Sequence, residues 1–157
     1  MPAAAHTALV PTPYGVCLEI AVRDDAIVAA TFRRRKVPAG QRITNAVLKE
    51  AAAQVKAYFE KKLPIFELPL HFEGKPFEVE VWRAVSSLQF GHFVSYGEVG
   101  HAIGRPRTHR LVAAAMGNTK IDLFMPAHRV IGADGKLKGC DPGSIRFKLA
   151  RFEGYAK

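Results

Sequence analysis

The sequence predicts an α/β protein in two packed parts: an N-terminal module of sheet and helix (1–73), then an all-α module (74–157) built on a helix-turn-helix. Three observations carry this. Two β-rich runs near the N-terminus flank Asp24-Asp25, a helical apolar period runs from Ile43 to Phe59, and two short helical patterns after Ser95 are joined by Gly104-Arg105-Pro106.

The runs Tyr14 to Val22 and Ala26 to Phe32 are partly alternating, and the Asp pair between them is turn material, so they read as a hairpin. Met1 to Val10 is Ala-rich without a basic start or a long apolar core, and reads as a frayed end rather than a signal peptide. Ile43, Val47, Leu48, Ala51, Val55, Tyr58 and Phe59 fall on one face of a helix, with Thr44 or Asn45 near its start. Pro64 and Pro69 make 63–72 an extended crossing segment. Pro76 opens a helix whose stripe is Phe77, Val81, Trp82, Val85 and Leu88, closed by Gly91. Ser95-Tyr96-Gly97-Glu98 is a capping box and starts a short helix through Ile103. A second helix starts at Arg107 or Thr108 and runs to about Met116. Its first residues, Arg107, Thr108, His109 and Arg110, are donors to phosphates and bases. The alanines that follow, 113–115, let a backbone approach closely. An ordinary structural helix corner is the alternative to a DNA-reading pair.

Charge is uneven. Residues 1–80 hold 11 Lys/Arg against 9 Asp/Glu, whereas 81–157 hold 12 against 5, so the basic half is the one with the helix-turn-helix. The run Arg33-Arg34-Arg35-Lys36 reads as a solvated turn. No apolar run spans a bilayer, so no membrane partner is expected. Cys17 and Cys140 suggest no disulfide framework, which makes a reducing compartment the default: a bacterial cytoplasm, or a nucleus in a eukaryote. The six histidines lack metal-ligand spacing; neither metal nor cofactor is expected.

Met125-Pro126-Ala127-His128-Arg129-Val130 is the most informative stretch. Apolar Ile121, Leu123, Phe124 and Met125 lead into it and read as a buried strand ending in a turn. The stretch resembles the Pro-Cys-His-Arg-Val signature of the O6-alkylguanine-DNA alkyltransferases. The likeness extends to Pro76-Phe77 with Val81-Trp82, to Val94 through Val99, to Arg110 with 112–116, and to Phe152-Glu153-Gly154. It implies a ribonuclease-H-like first module and a winged-helix-like second one, acting as a monomer on double-stranded DNA. The second helix of the motif would enter the minor groove with Arg107, Thr108, Ala113 and Ala114 against the DNA. Arg110 would fill the gap left by an extruded nucleotide, and Tyr96 would rotate its phosphate. Base flipping follows from the chemistry, since the alkylated oxygen lies inside the stack. Met116, Asn118, Pro126, Val130, Cys140 and Asp141 would form the base pocket. His128 and Glu153 match the pair that holds the family's cysteine thiolate, and Arg129 reads as a structural tie to nearby carbonyls.

At the cysteine position stands Ala127, which has no nucleophile. Three readings stay open. The chain resembles the alkyltransferase-like proteins that bind the lesion without repairing it and pass it to nucleotide excision repair proteins. Alternatively, it is a Cys-to-Ala form of a methyltransferase, or a helix-turn-helix transcription regulator. Asn118 is offset by one from the family's Arg-x-Asn-Pro, and Cys140 replaces the lid tyrosine in Gly139-Cys140-Asp141-Pro142-Gly143. Several drifted positions weigh toward the first reading. A smaller lid residue also implies acceptance of bulkier adducts, and Cys140 is a minor candidate for a relocated thiol.

Overall fold

The computed structural model describes residues 5–137 and 143–156. The chain forms two compact units. One comprises the residues up to Phe72 together with Lys120–Phe124; the other comprises Glu73–Thr119 and the residues from Met125 onward.

The first unit holds a three-stranded antiparallel sheet in the order β1 (His6–Pro11), β2 (Cys17–Arg23), β3 (Ala26–Arg33). Strand β1 replaces the expected frayed end: Ala8, Leu9 and Val10 are buried, and all six residues pair with β2. The hairpin between β2 and β3 turns at Asp24 and Asp25, whose φ values of 50° and 59° give the left-handed pair that matches strand twist. Strict alternation would put Ile27 and Ala30 on opposite faces, yet both are buried. The register shift beside Ala21/Val22 leaves Val28 unpaired and resets the faces.

Helix α1 spans Ala46–Phe59, three residues shorter at its start than the apolar period suggested. It begins where Asn45 caps it, the side-chain oxygen accepting from the Leu48 N–H at 3.1 Å. Buried Gln54 accepts from the Glu67 N–H at 2.9 Å and donates to the Glu67 carbonyl at 3.1 Å, which pins the crossing segment along the helix. That segment reaches β3, where the Ile27 N–H donates to Pro69 and the His71 N–H donates to Ile27. Further along the same strand, Ala30 donates to Lys120 and accepts from Asp122. The 120–124 stretch therefore belongs with the first sheet, not with the second part as expected. It forms isolated bridges and a turn rather than a regular buried strand, and Leu123 is left-handed at φ 68°.

In the second unit, α2 (Pro76–Ser86) opens with Pro76 at its first position, and Glu78 accepts from the Lys75 N–H at 3.0 Å. It ends at Ser86, before Gly91. The Trp82 indole donates to the Ala115 carbonyl at 2.8 Å and fixes α2 against the second helix of the motif. The unit is not purely helical. Strand β4 (Val94–Ser95) pairs in parallel with β5 (Val130–Ile131). Ser95 caps α3 (Tyr96–Ala102) through the expected reciprocal bonds with Glu98, at 3.0 and 3.2 Å. After Gly104 (φ 75°) and Arg107 (φ 63°), α4 covers His109–Gly117. The two helices approach so closely that a Cβ on Gly100 would lie 2.5 Å from Thr108 Oγ1 and 3.1 Å from the Arg105 carbonyl. A last helix absent from the sequence reading, α5 (Ile145–Phe152), is capped by Ser144. No helix among the described residues is long and apolar enough to cross a membrane.

Candidate nucleic-acid interface

Met125 to Val130 is a tight reversal. The Ala127 N–H donates to the Met125 carbonyl and the Arg129 N–H to the Pro126 carbonyl, each at 2.9 Å, so 127–129 form one 3-10 turn. The turn feeds β5, whose pairing with β4 connects it directly to the start of α3 and Tyr96. Ala127 is 8 % exposed, the edge of a turn otherwise sealed from water.

Behind it sits a buried charged cluster. His128 and Arg129 are each 1 % exposed and Glu153 is 7 %. The Arg129 guanidinium grips the Glu153 carboxylate at both oxygens, Nε to Oε1 at 2.8 Å and Nη2 to Oε2 at 3.1 Å, and spends Nη1 on the Leu88 carbonyl at 2.6 Å. His128 Nε2 bonds to Glu153 Oε2, and the Gly91 N–H adds a bond to Oε1 at 2.8 Å. One carboxylate thus takes four donors. Burial by itself would raise the Glu153 carboxyl; the hydrogen bonds from His128 and Arg129, with the charge of the Arg129 guanidinium, outweigh it and hold the group at about 2. For His128, burial prevails over the attraction of Glu153 and lowers its pKa below the ordinary 6.5. The imidazole is therefore neutral, with Nε2–H donating and Nδ1 as the acceptor nitrogen. The net result is one compensated ion pair with an oriented histidine attached to it.

The sequence had joined His128 with Glu153 and made Arg129 structural. The structure brings all three together and shows that Arg129's main partner is Glu153, with one carbonyl besides. Leu88 and Gly91 were missed. Their contribution is backbone atoms 41 and 62 residues away in sequence from their partners, which no side-chain motif announces.

The outer face of the helix-turn-helix carries the remaining candidates. Arg107, Arg110 and Ala114 are exposed, with Tyr96 and Ala113 half-buried. Arg105 is paired with Glu80 at 3.0 Å, while Arg107 and Arg110 make no ion pair with a described residue. Two expected DNA or pocket contacts are committed elsewhere. The Thr108 hydroxyl donates to the Arg105 carbonyl at 2.6 Å and closes the turn, and the Asn118 amide donates to Glu78 at 3.0 Å on the surface. Met116, Pro126 and Val130 are buried. Cys140 and Asp141 lie outside the described residues. No group of three or more metal-ligating side chains occurs among the described residues.

A helix-turn-helix with a cationic outer face, backed by a buried histidine–carboxylate–guanidinium cluster, defines a DNA-binding module joined to a small sheet module. Residues 76–154 match the DNA-binding domain of 6-O-methylguanine DNA methyltransferase, and residues 6–80 match its ribonuclease-like domain. The chain belongs to the O6-alkylguanine-DNA alkyltransferase family. It is 40 % identical over 111 residues to the methylated-DNA–protein-cysteine methyltransferase of Methanosarcina barkeri, covering 71 % of this chain and 70 % of that protein. The corresponding Mycobacterium tuberculosis protein is 41 % identical over 103 residues, 66 % of this chain and 62 % of that one. A crystal structure of the M. tuberculosis O6-methylguanine methyltransferase superposes with a TM-score of 0.81 at 29 % identity, covering 98 % and 96 % of the two chains. A structure of M. tuberculosis OGT in complex with DNA gives 0.79 at 30 % identity, with 94 % and 92 % covered.

Proposed function

We propose that this protein binds duplex DNA through the outer face of α4 and holds an extruded O6-alkylguanine against the turn at Ala127 without accepting its alkyl group. One observation carries the reading: a methyl group occupies the second place of the Pro126-Ala127-His128-Arg129 turn while the His128–Glu153–Arg129 cluster behind it is fully assembled. Alkyl transfer requires a nucleophile with an available lone pair at that place, and alanine has none. Arg110 replaces the displaced base in the stack and Tyr96 turns its phosphate. Extrusion costs a few kcal/mol and is least for a damaged pair, so the lesion itself gives selectivity. A protein that binds but does not repair hands its site onward, and nucleotide excision repair proteins are the proposed recipients.

The test pairs binding with mass. Fluorescence anisotropy on one duplex with and without O6-methylguanine should show tighter binding to the damaged form, and intact mass should show no alkyl adduct after incubation. An adduct on the unaltered chain, at Cys17 or Cys140, refutes the reading. Tight binding to a single undamaged sequence would instead mark a transcription regulator. The completeness of the cluster also favours a second reading, a Cys-to-Ala form of an active methyltransferase. Ala127→Cys separates the two: rapid transfer supports the second reading, whereas lesion binding without transfer supports the first.

A further inference from the structure

Among the described residues one large apolar side chain is left mostly in water: Leu111, 59 % exposed, in the first turn of α4. A lone exposed leucine is ordinary on a protein surface. Its company is not. The inner face of α4 is Val112, Ala115 and Met116, all buried. The outer face is Arg110, Leu111, Ala114 and Gly117, all exposed, with His109 and Arg107 exposed just before them. Leu111 is therefore the only bulky apolar group on a face otherwise made of cations and very small residues. The cations select a polyanion. The small residues let the backbone come close, which leaves the leucine to meet whatever wall the helix approaches.

We propose that Leu111 packs against the deoxyribose wall of the DNA minor groove beside the gap left by the extruded nucleotide. The inference rests on the reading of α4 as the DNA-facing helix and adds a residue to it. Successive helix residues point about 100° apart. When Arg110 enters the base stack, Leu111 is directed along the groove wall, whose sugar carbons are apolar and independent of sequence. Minor-groove proteins commonly present leucine and similar side chains to DNA, often inserted between base steps; here Arg110 takes the gap in the stack, which leaves Leu111 the sugar wall beside it. With alanine and glycine filling the rest of the face, Leu111 also sets how deeply the helix seats.

The experiment is anisotropy titration of Leu111→Ala and Arg110→Ala, each on a fluorescein-labelled duplex with and without O6-methylguanine, at several salt concentrations. Losing the leucine's contact should weaken binding to both duplexes by about tenfold. The salt dependence should stay as in the parent, because no phosphate contact is lost. The thermal midpoint should be unchanged. If Leu111→Ala binds within twofold of the parent while Arg110→Ala is weakened, the leucine proposal is overturned and the reading of α4 stands. If neither variant changes affinity, both fall. A change in sedimentation of the DNA-free protein on replacing Leu111, with DNA affinity retained, would make it a self-association surface and overturns the proposal.

Discussion

Replacing Glu153 by glutamine tests the buried cluster most directly. The carboxylate accepts from Arg129 twice, from His128 and from the Gly91 N–H, and both side chains of the ion pair are at most 2 % exposed. Glutamine has almost the same shape but offers one oxygen. It turns an NH2 toward groups that also donate, and leaves the Arg129 guanidinium buried without a counter-charge. Two routes to the magnitude agree. Removing one partner of a buried pair costs about 3–5 kcal/mol. Holding the carboxyl at about 2 rather than its ordinary 4.5 favours the folded, ionised form at neutral pH by about 3 kcal/mol. For a chain of this size the midpoint should fall by roughly 6–20 °C. The assay is built in, because the chain's single tryptophan, Trp82, is buried in the same unit and hydrogen-bonded to α4. Its fluorescence in urea reports the unfolding that matters. The double variant Glu153→Gln with Arg129→Met should recover part of the loss, since the orphaned charge goes as well. A loss below about 1 kcal/mol, or a double variant as costly as the sum of both singles, would refute the account of Glu153 as the hub.

Gly100→Ala should destabilise the second unit by about 1–3 kcal/mol, since its Cβ meets Thr108 Oγ1 at 2.5 Å; adding Thr108→Ala should relieve only part of this, because the Arg105 carbonyl remains at 3.1 Å. Calorimetry of the two variants decides it. Acid should weaken the fold in two stages. His128 is depressed below 6.5, so its contribution is complete above that value and starts to fall as pH drops beneath it; Glu153 contributes fully above 4.5 and loses this as pH falls toward about 2. A midpoint that stays flat from pH 7 to 4.5 would contradict the His128 stage, and one that stays flat from pH 4.5 to 2 would contradict the Glu153 stage. Arg110→Ala should weaken lesion binding at least tenfold, whereas Arg34→Ala, exposed after β3, should change it less than twofold; equal losses in anisotropy would count against base flipping.

Local chemistry was legible in the sequence. The Asp24-Asp25 hairpin, the Asn45 cap, Pro76 at a helix start, the Ser95–Glu98 box and the break at Gly104 all depend on residues within four positions of one another. Each stands in the structure where its residues are. Strand β1 was hidden because the Ala-rich start has no periodicity of its own; it is a strand only because β2 supplies a partner edge. The placement of Lys120–Phe124 was hidden for the same reason, since its bonds go to Ala30, ninety residues earlier. The motif Pro126-Ala127-His128-Arg129 announced a family and a missing nucleophile, and a chemist could read that from letters alone. It could not announce that Glu153 would be held by the Gly91 N–H and Arg129 by the Leu88 carbonyl. Caps and turns are settled by short-range backbone geometry, which sequence encodes directly. A buried charge is settled by whichever distant donors the packed chain brings within 3 Å of it, and only the tertiary structure decides those.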